Sequence, residues 1–380
     1  MRLLVTIPWA ERLGGAEAML QSIVDGVDPA ADHEFTFVFF EQGSWAQELR
    51  AAGHDVEVLE AGRLRQLHRW ARTVARLTRI FRSRQPDLIL NWAAKTHLYG
   101  GPAAMLAGMS GRVLWWQQAI PMRGLSKERG LGIDTFATLL PAIAVGCYGS
   151  VAADAQQRMF PRRRTFVVHA GAPVPQPSEP GGDTEGRGGP LELPAELPVV
   201  GLVGRLQPWK GQDRLLRAQA ILRDRGHRFH LVIVGGDSWG LSPEYSGSLA
   251  PLIEQLGLAG DVTMTGEVPD AGPYIEQMDV LVNASDPEPF GIVLLEAMAR
   301  GVPVVAVDSG GPGEFLIDGQ TASLARSGAP EALADALEPM LASAQNRAEF
   351  ARAGLDLYMR EFTDGALSKR FFERLAELRA

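Results

Sequence analysis

A single cysteine, Cys147, in 380 residues rules out an intrachain disulfide and any metal site built from several thiolates. A reducing cytoplasm is the expected setting. Long apolar runs are missing too: none approaches the roughly 18 residues of a spanning helix. The opening MRLLVTIPWAERLGGAE has a short apolar run and no small-residue cleavage site after it, so it reads as a first strand entering a glycine turn. Basic excess is absent. The formal charge of −8 argues against nucleic acid as a bulk partner. There is no GxGxxG fingerprint, so a dinucleotide site is unsupported. No DxD pair occurs either, so no metal and no other cofactor is expected.

What is present is the balance of a soluble globular chain, with 46% apolar and 22% charged residues. Short β runs alternate with helical stretches in two halves. The expected strands are Leu3–Ile7, Phe35–Phe40, Asp55–Leu59, Leu88–Asn91, Val113–Trp116 and Ala142–Val145, then Val199–Val203, His230–Val234, Val262–Thr265, Val280–Val282 and Pro303–Val307. Strands separated by helices imply parallel sheets covered on both faces. The expected fold is therefore α/β, two Rossmann-like doubly wound domains facing a central cleft. The expected divisions are an acceptor-side domain at 1–172, a Pro/Gly-rich linker or exposed insertion at 173–198, a ligand-binding domain at 199–362, and a tail helix within 363–380 that packs back on the first domain. The linker expectation rests on PVPQPSEPGGDTEGRGGPLELPAELP, which is too poor in aliphatic periodicity to build a core.

Three constellations carry chemistry. In VGLVGRLQPWKGQDRLLRA, residues 200–218, a buried strand meets a turn at Gly204, and Arg205 and Lys210 precede a helix. Two cations at a strand end beside a helix N-terminus suit a diphosphate; the ordinary alternative is a solvated loop. Gly14 and Gly15 follow the first strand and would let a phosphate approach backbone amides, although a plain turn explains a lone Gly-Gly equally well. In DPEPFGIVLLEAMARGVPVVAVDSGGPGE, residues 286–314, Glu288 lies in a loop and Glu296 inside a short helix. Amides of Phe290 and Gly291 at that helix start could hold a polyol, and a carboxylate in the helix could hold a ribose diol. Glu296 as a mere helix former, with Glu288 as a surface loop residue, is the competing reading.

Together these motifs resemble a retaining glycosyltransferase of the GT-B fold, family 4 type. That family's Glu-x7-Glu pattern is met by Glu288 and Glu296, its Gly-Arg-x4-Lys-Gly pattern by Gly204, Arg205, Lys210 and Gly211, and its Gly-Gly-x-Glu pattern by Gly14, Gly15, Ala16 and Glu17. SGGPGE at 309–314 also fits. The resemblance implies a nucleoside-diphosphate-sugar donor. Arg205 and Lys210 would hold its diphosphate and Glu296 its ribose. Glu288, with the amides from Phe290 through Gly291 to Ile292, would hold the sugar. Gly235 and Val268 fall where the family places the nucleobase. Transfer would proceed with retention, without a protein nucleophile, the two cations stabilising the departing diphosphate.

One position departs from the pattern. In LWWQQAIP, Gln118 stands where many relatives carry a histidine at the donor sugar; Gln118 can hydrogen-bond a hydroxyl but cannot act as a base. A dispensable histidine is the favoured explanation. A donor-binding partner subunit without turnover, or another nucleotide-sugar enzyme such as an epimerase, is the alternative. The acceptor stays open among glycan, lipid carrier and small molecule, and the resemblance points only loosely to polysaccharide assembly.

Residues 63–84, RLRQLHRWARTVARLTRIFRSR, hold eight arginines and no acid. Leu67, Trp70, Val74, Leu77 and Phe81 form an apolar stripe, with arginines on the opposite face. A surface helix packed on the first domain is the ordinary reading. The sharper one is contact with an anionic membrane at its inner face, or with a phosphorylated acceptor. His97 and His169 read as structural, and Trp115 and Trp116 as core packing combined with the cleft wall.

Overall fold

A computed structural model of the chain describes residues 1–11, 14–62, 64–118, 125–126, 130–131, 133–159, 163–175, 189–237, 240 and 242–379. It divides into two compact units, Met1–Ala170 with Leu367–Ala380, and Gly171–Ala366. The central part of the Pro/Gly-rich segment, 176–188, lies outside the described residues. Its end belongs to the second unit, where Leu191 N–H donates to Gln277 Oε1 at 3.1 Å and Gln277 Nε2 donates back to Leu191 O at 2.9 Å.

The first unit contains strands β1 (Arg2–Ile7), β2 (Glu34–Phe39), β3 (Asp55–Val58), β4 (Leu88–Asn91), β5 (Val113–Gln117), a short antiparallel pair β6 (Leu125–Ser126) and β7 (Gly130–Leu131), β8 (Ala144–Cys147) and β9 (Thr165–Val167). Seven of these form one parallel sheet in the order β3-β2-β1-β4-β5-β8-β9. The strand expected at Ala142–Val145 starts two residues later, because Ile143 N–H already bonds Val113 O as the lead-in. The edge strand β9 went unread, since three residues carry too little periodicity.

The helix Leu67–Arg84 runs beside Ala94–Ala107, tied by Trp70 Nε1 to Leu98 O (3.2 Å), Thr78 Oγ1 to Ala103 O (3.3 Å) and Arg82 Nη2 to Leu106 O (2.6 Å). Val74, Leu77 and Phe81 are buried and Trp70 is half-buried, but Leu67 is 75% exposed. Leu67 opens the helix and its side chain finds no core, so the apolar stripe is shorter than its sequence spacing suggests. Arg65, Arg69, Arg72, Arg76 and Arg79 are all exposed. Trp115 and Trp116 are 1% and 0% exposed, Trp116 stacking on Trp92 at 5.0 Å. They are core residues only, which corrects the expectation that they also form a cleft wall.

The second unit contains β10 (Val199–Val203), β11 (His230–Val234), β12 (Val262–Gly266), β13 (Val280–Asn283), β14 (Val304–Val307) and β15 (Ser323–Ala325). They pair in parallel in the order β12-β11-β10-β13-β14-β15. Leu202, Leu216, Leu231, Ile233, Val282 and Leu333 belong to its core. Strand order reverses between β1 and β4 in one sheet and between β10 and β13 in the other. At such a point neighbouring loops leave in opposite directions and open a crevice beyond the carboxyl ends.

The candidate donor site

The loop after β10 begins at Gly204, with φ 157°, whose N–H bonds Val234 O at 2.9 Å. Gly235, at the end of β11, approaches so closely that a Cβ there would lie 2.2 Å from Gly204 O. Gly235 in turn pairs with Gly266 at the end of β12, and Val268 follows two residues later. Arg205 is half-buried, and its carbonyl accepts from Gln212 Nε2 at 2.9 Å. A single 3₁₀ turn, Pro208–Lys210, delivers Lys210 to the start of the helix Gln212–Asp224. The Lys210 ammonium sits 4.1 Å from the Trp209 ring centre, a cation–π contact.

Across the switch point, β13 ends in the buried Asn283 and the loop carries Glu288. Lys210 Nζ donates to Glu288 Oε2 at 2.8 Å, and Asn283 Nδ2 donates to the same oxygen at 3.2 Å. Glu288 is 5% exposed. Burial pushes its carboxyl up, but the charge and hydrogen bond of Lys210, with hydrogen bonds from Ser285 and Asn283, outweigh burial and leave it below the usual carboxylate range. The loop leaving β14 closes from the other side. Glu288 N–H bonds Ser309 O at 2.9 Å and Gly311 N–H bonds Glu288 O at 2.8 Å. Glu288 is thus no surface loop residue.

Gly291 caps the helix Ile292–Ala299 with φ 96° and no side-chain cap bond. Phe290 is buried against Phe315, ring centres 4.9 Å apart. Glu296 is half-buried on that helix. Burial raises its carboxyl above the ordinary value, Arg300 opposing and Asp270 adding to the rise.

Of the residues singled out from sequence, Gly204, Arg205, Lys210, Gly235, Val268, Glu288, Phe290, Gly291, Ile292 and Glu296 all fall in the second unit, at or beyond the carboxyl ends of its strands. Gly14, Gly15 and Gln118 fall in the first unit, beyond β1 and β5. Gly14 has an extended backbone and caps the helix Gly15–Asp25; a Cβ there would meet only Glu17 Oε2, at 3.8 Å. The Gln118 amide donates to Trp92 O, while Ala119 to Pro121 lie outside the described residues. His97 is fully buried and stacks on Trp115 at 5.3 Å, and burial lowers its pKa to about 3; it is a neutral core residue. Sequence reasoning missed Asn283, Asp286, Ser309 and Arg214. Asn283 left one readable signal, a polar residue ending an otherwise apolar buried strand. Among the described residues no group of three His, Cys, Asp or Glu is placed to hold a metal ion, and no helix is long and apolar enough to cross a membrane.

The whole chain superposes on Anabaena Alr3699/HepE, solved with UDP and glucose, at a TM-score of 0.79 with 24% identity, covering 98% of this chain and 99% of that one. Sucrose-phosphate synthase from Thermosynechococcus elongatus gives a TM-score of 0.76 with 20% identity, over 99% and 98%. The fold is GT-B. Residues 189–356, all in the second unit, match the sequence model of the glycosyl transferases group 1. Over 186 residues, 49% of this chain and 52% of the relative, it is 32% identical to the lipopolysaccharide core biosynthesis glycosyltransferase LpsE of Rhizobium meliloti. Over 174 residues, 44% of this chain and 39% of the relative, it is 38% identical to the D-inositol 3-phosphate glycosyltransferase of Stackebrandtia nassauensis. The chain spans about half or less of the length of these two curated relatives.

Proposed function

We propose that this GT-B protein is a retaining, family 4 type hexosyltransferase that moves a sugar from a nucleoside-diphosphate donor to an acceptor hydroxyl. The observation that carries the reading is the ion pair of the half-buried Lys210 with the buried Glu288 at the switch point between β10 and β13, inside the segment matched by the group 1 family. In this reading Arg205 and Lys210 hold the diphosphate, and Glu296 holds the ribose. Glu288 and the backbone from Phe290 to Ile292 hold the sugar, and Gly235 and Val268 border the base. The departing diphosphate, stabilised by two cations, takes the acceptor proton, and positioning replaces a protein base. A donor-binding subunit without turnover is the second reading, favoured by one feature: Gln118 cannot exchange a proton.

The Anabaena structures contain UDP and UDP-glucose, which makes UDP-glucose the first donor to test, beside GDP-, ADP- and dTDP-sugars. Selective binding by wild type, lost in Glu296→Ala and Lys210→Ala, with slow release of free nucleotide, is expected. Arg205→Ala should lower turnover by about 10²–10³-fold; wild-type turnover in that variant would sink its assignment. Binding without any turnover would favour the second reading.

We also propose that the exposed arginine face of Leu67–Arg84 rests on an anionic membrane at the cytoplasmic side. At about 100° per residue, Arg69, Arg72, Arg76 and Arg79 share an arc of roughly 80°, and neighbouring Leu106 and Met105 are 60% and 55% exposed. Basic charge beside apolar surface is what a headgroup layer attracts. Co-sedimentation with phosphatidylglycerol vesicles but not phosphatidylcholine vesicles at low salt is the expected result; equal recovery would count against it.

A further inference from the structure

Arg214 stands in the first turn of the helix Gln212–Asp224, where a cation opposes the helix dipole. Its guanidinium does not point away into solvent. Nη2 donates to Trp209 O at 3.1 Å and to Ala284 O at 2.6 Å. Trp209 directly precedes Lys210, and Ala284 opens the loop that carries Glu288. One nitrogen therefore spans the two chain segments that bring the ion pair together.

The surrounding backbone is shaped for this span. Gly211 has φ 74°, and a Cβ there would lie 2.6 Å from Arg214 Nη2 and 2.5 Å from Ala284 O. Any side chain at 211 would expel the guanidinium. Asp286 N–H bonds the same Trp209 O at 2.8 Å, and the Asp286 carboxylate accepts from Ser309 Oγ at 2.6 Å. Ser309 O in turn holds Glu288 N–H. The chain of contacts runs from Arg214 through Trp209, Asp286 and Ser309 to Glu288, and joins the loops after β10, β13 and β14.

Lys210 and Glu288 sit outside the strands, so the bonds between their segments bear directly on their spacing. We propose that Arg214 is a positioning residue: it clamps the loop carrying Lys210 to the loop carrying Glu288, and so holds the proposed diphosphate cation and sugar carboxylate in register. This rests on the donor-site reading for its consequence in catalysis, but not for the clamp itself.

The test has two arms on the full chain. In the first, UDP-glucose hydrolysis is measured for wild type, Arg214→Ala and Arg214→Lys. The expected result is a loss of about 10²-fold in kcat/KM for Arg214→Ala, the scale of a misplacement near 1 Å. The loss should include a rise in KM, and Arg214→Lys should recover most of it. A merely less stable protein would lower the active fraction and leave KM alone. In the second arm, the coupling between Lys210→Met and Glu288→Gln in thermal unfolding is compared with and without Arg214→Ala. The coupling should shrink when Arg214 is gone. If Arg214→Ala does not fold, Arg214→Gln replaces it in both arms. Unchanged KM and kcat, or undiminished coupling in a folded variant, overturns the proposal. If wild type ignores every nucleotide sugar, the donor reading fails and the coupling arm alone decides the clamp.

Discussion

Glu288 is a carboxylate removed from water and kept charged by its neighbours, which makes it sensitive to the loss of any one of them. Breaking a buried pair from one side leaves an uncompensated charge. Lys210→Met should therefore destabilise the second unit by about 3–5 kcal/mol at pH 7, read as a lower urea midpoint. Because the folded state holds this carboxyl below its ordinary value of 4.5, its stabilisation is complete above about pH 4.5 and is lost as pH falls through the lower folded value. In Lys210→Met the opposing charge is gone and burial dominates, so the folded carboxyl should titrate above its ordinary value, and this group's acid-side loss should vanish or reverse as protonation relieves the buried charge. An unchanged midpoint and acid limb would mean that water screens the pair. Glu288 and Lys210 were legible as candidates because their spacing repeats a known pattern. Their contact was not, because 78 residues separate them and only strand order brings β10 beside β13.

At the scale of elements, the site depends on loops packed backbone against backbone. Gly310 has φ 96°, and a Cβ there would lie 2.2 Å from Glu288 O. Gly310→Ala combines left-handed strain with a clash against backbone, which cannot swing aside as a side chain can. A loss of at least about 2 kcal/mol is expected, together with weaker UDP-glucose binding. Full stability and binding in that variant would show that the β14 loop yields without disturbing Glu288. The strands were readable as short apolar runs, and the helix bearing Glu296 by its position between Gly291 and Gly301. Arg214 was not singled out. In sequence it is one more arginine on a helix, and its bonds go to carbonyl oxygens, which leave no mark in composition.

At the scale of the molecule, the chain returns to its beginning. Leu367–Ala380 belongs to the first unit, where Phe371 is fully buried and its ring lies 6.0 Å from Trp116. Phe372 stacks on His33 at 3.9 Å. Phe371→Ala should destabilise the first unit by about 3–5 kcal/mol, visible by calorimetry as a lowered transition and by earlier proteolysis within residues 1–170. A shift confined to the second unit would contradict this packing. Sequence by itself determined the class of architecture, because covered parallel strands must be short and apolar and their crossovers must be helical. It also determined which residue types were available for an anion and a diol. Strand order, the burial of Glu288 and the clamp at Arg214 were decided only by tertiary structure. Each depends on which distant segments lie side by side, and on the dielectric and hydrogen-bond partners a side chain meets there.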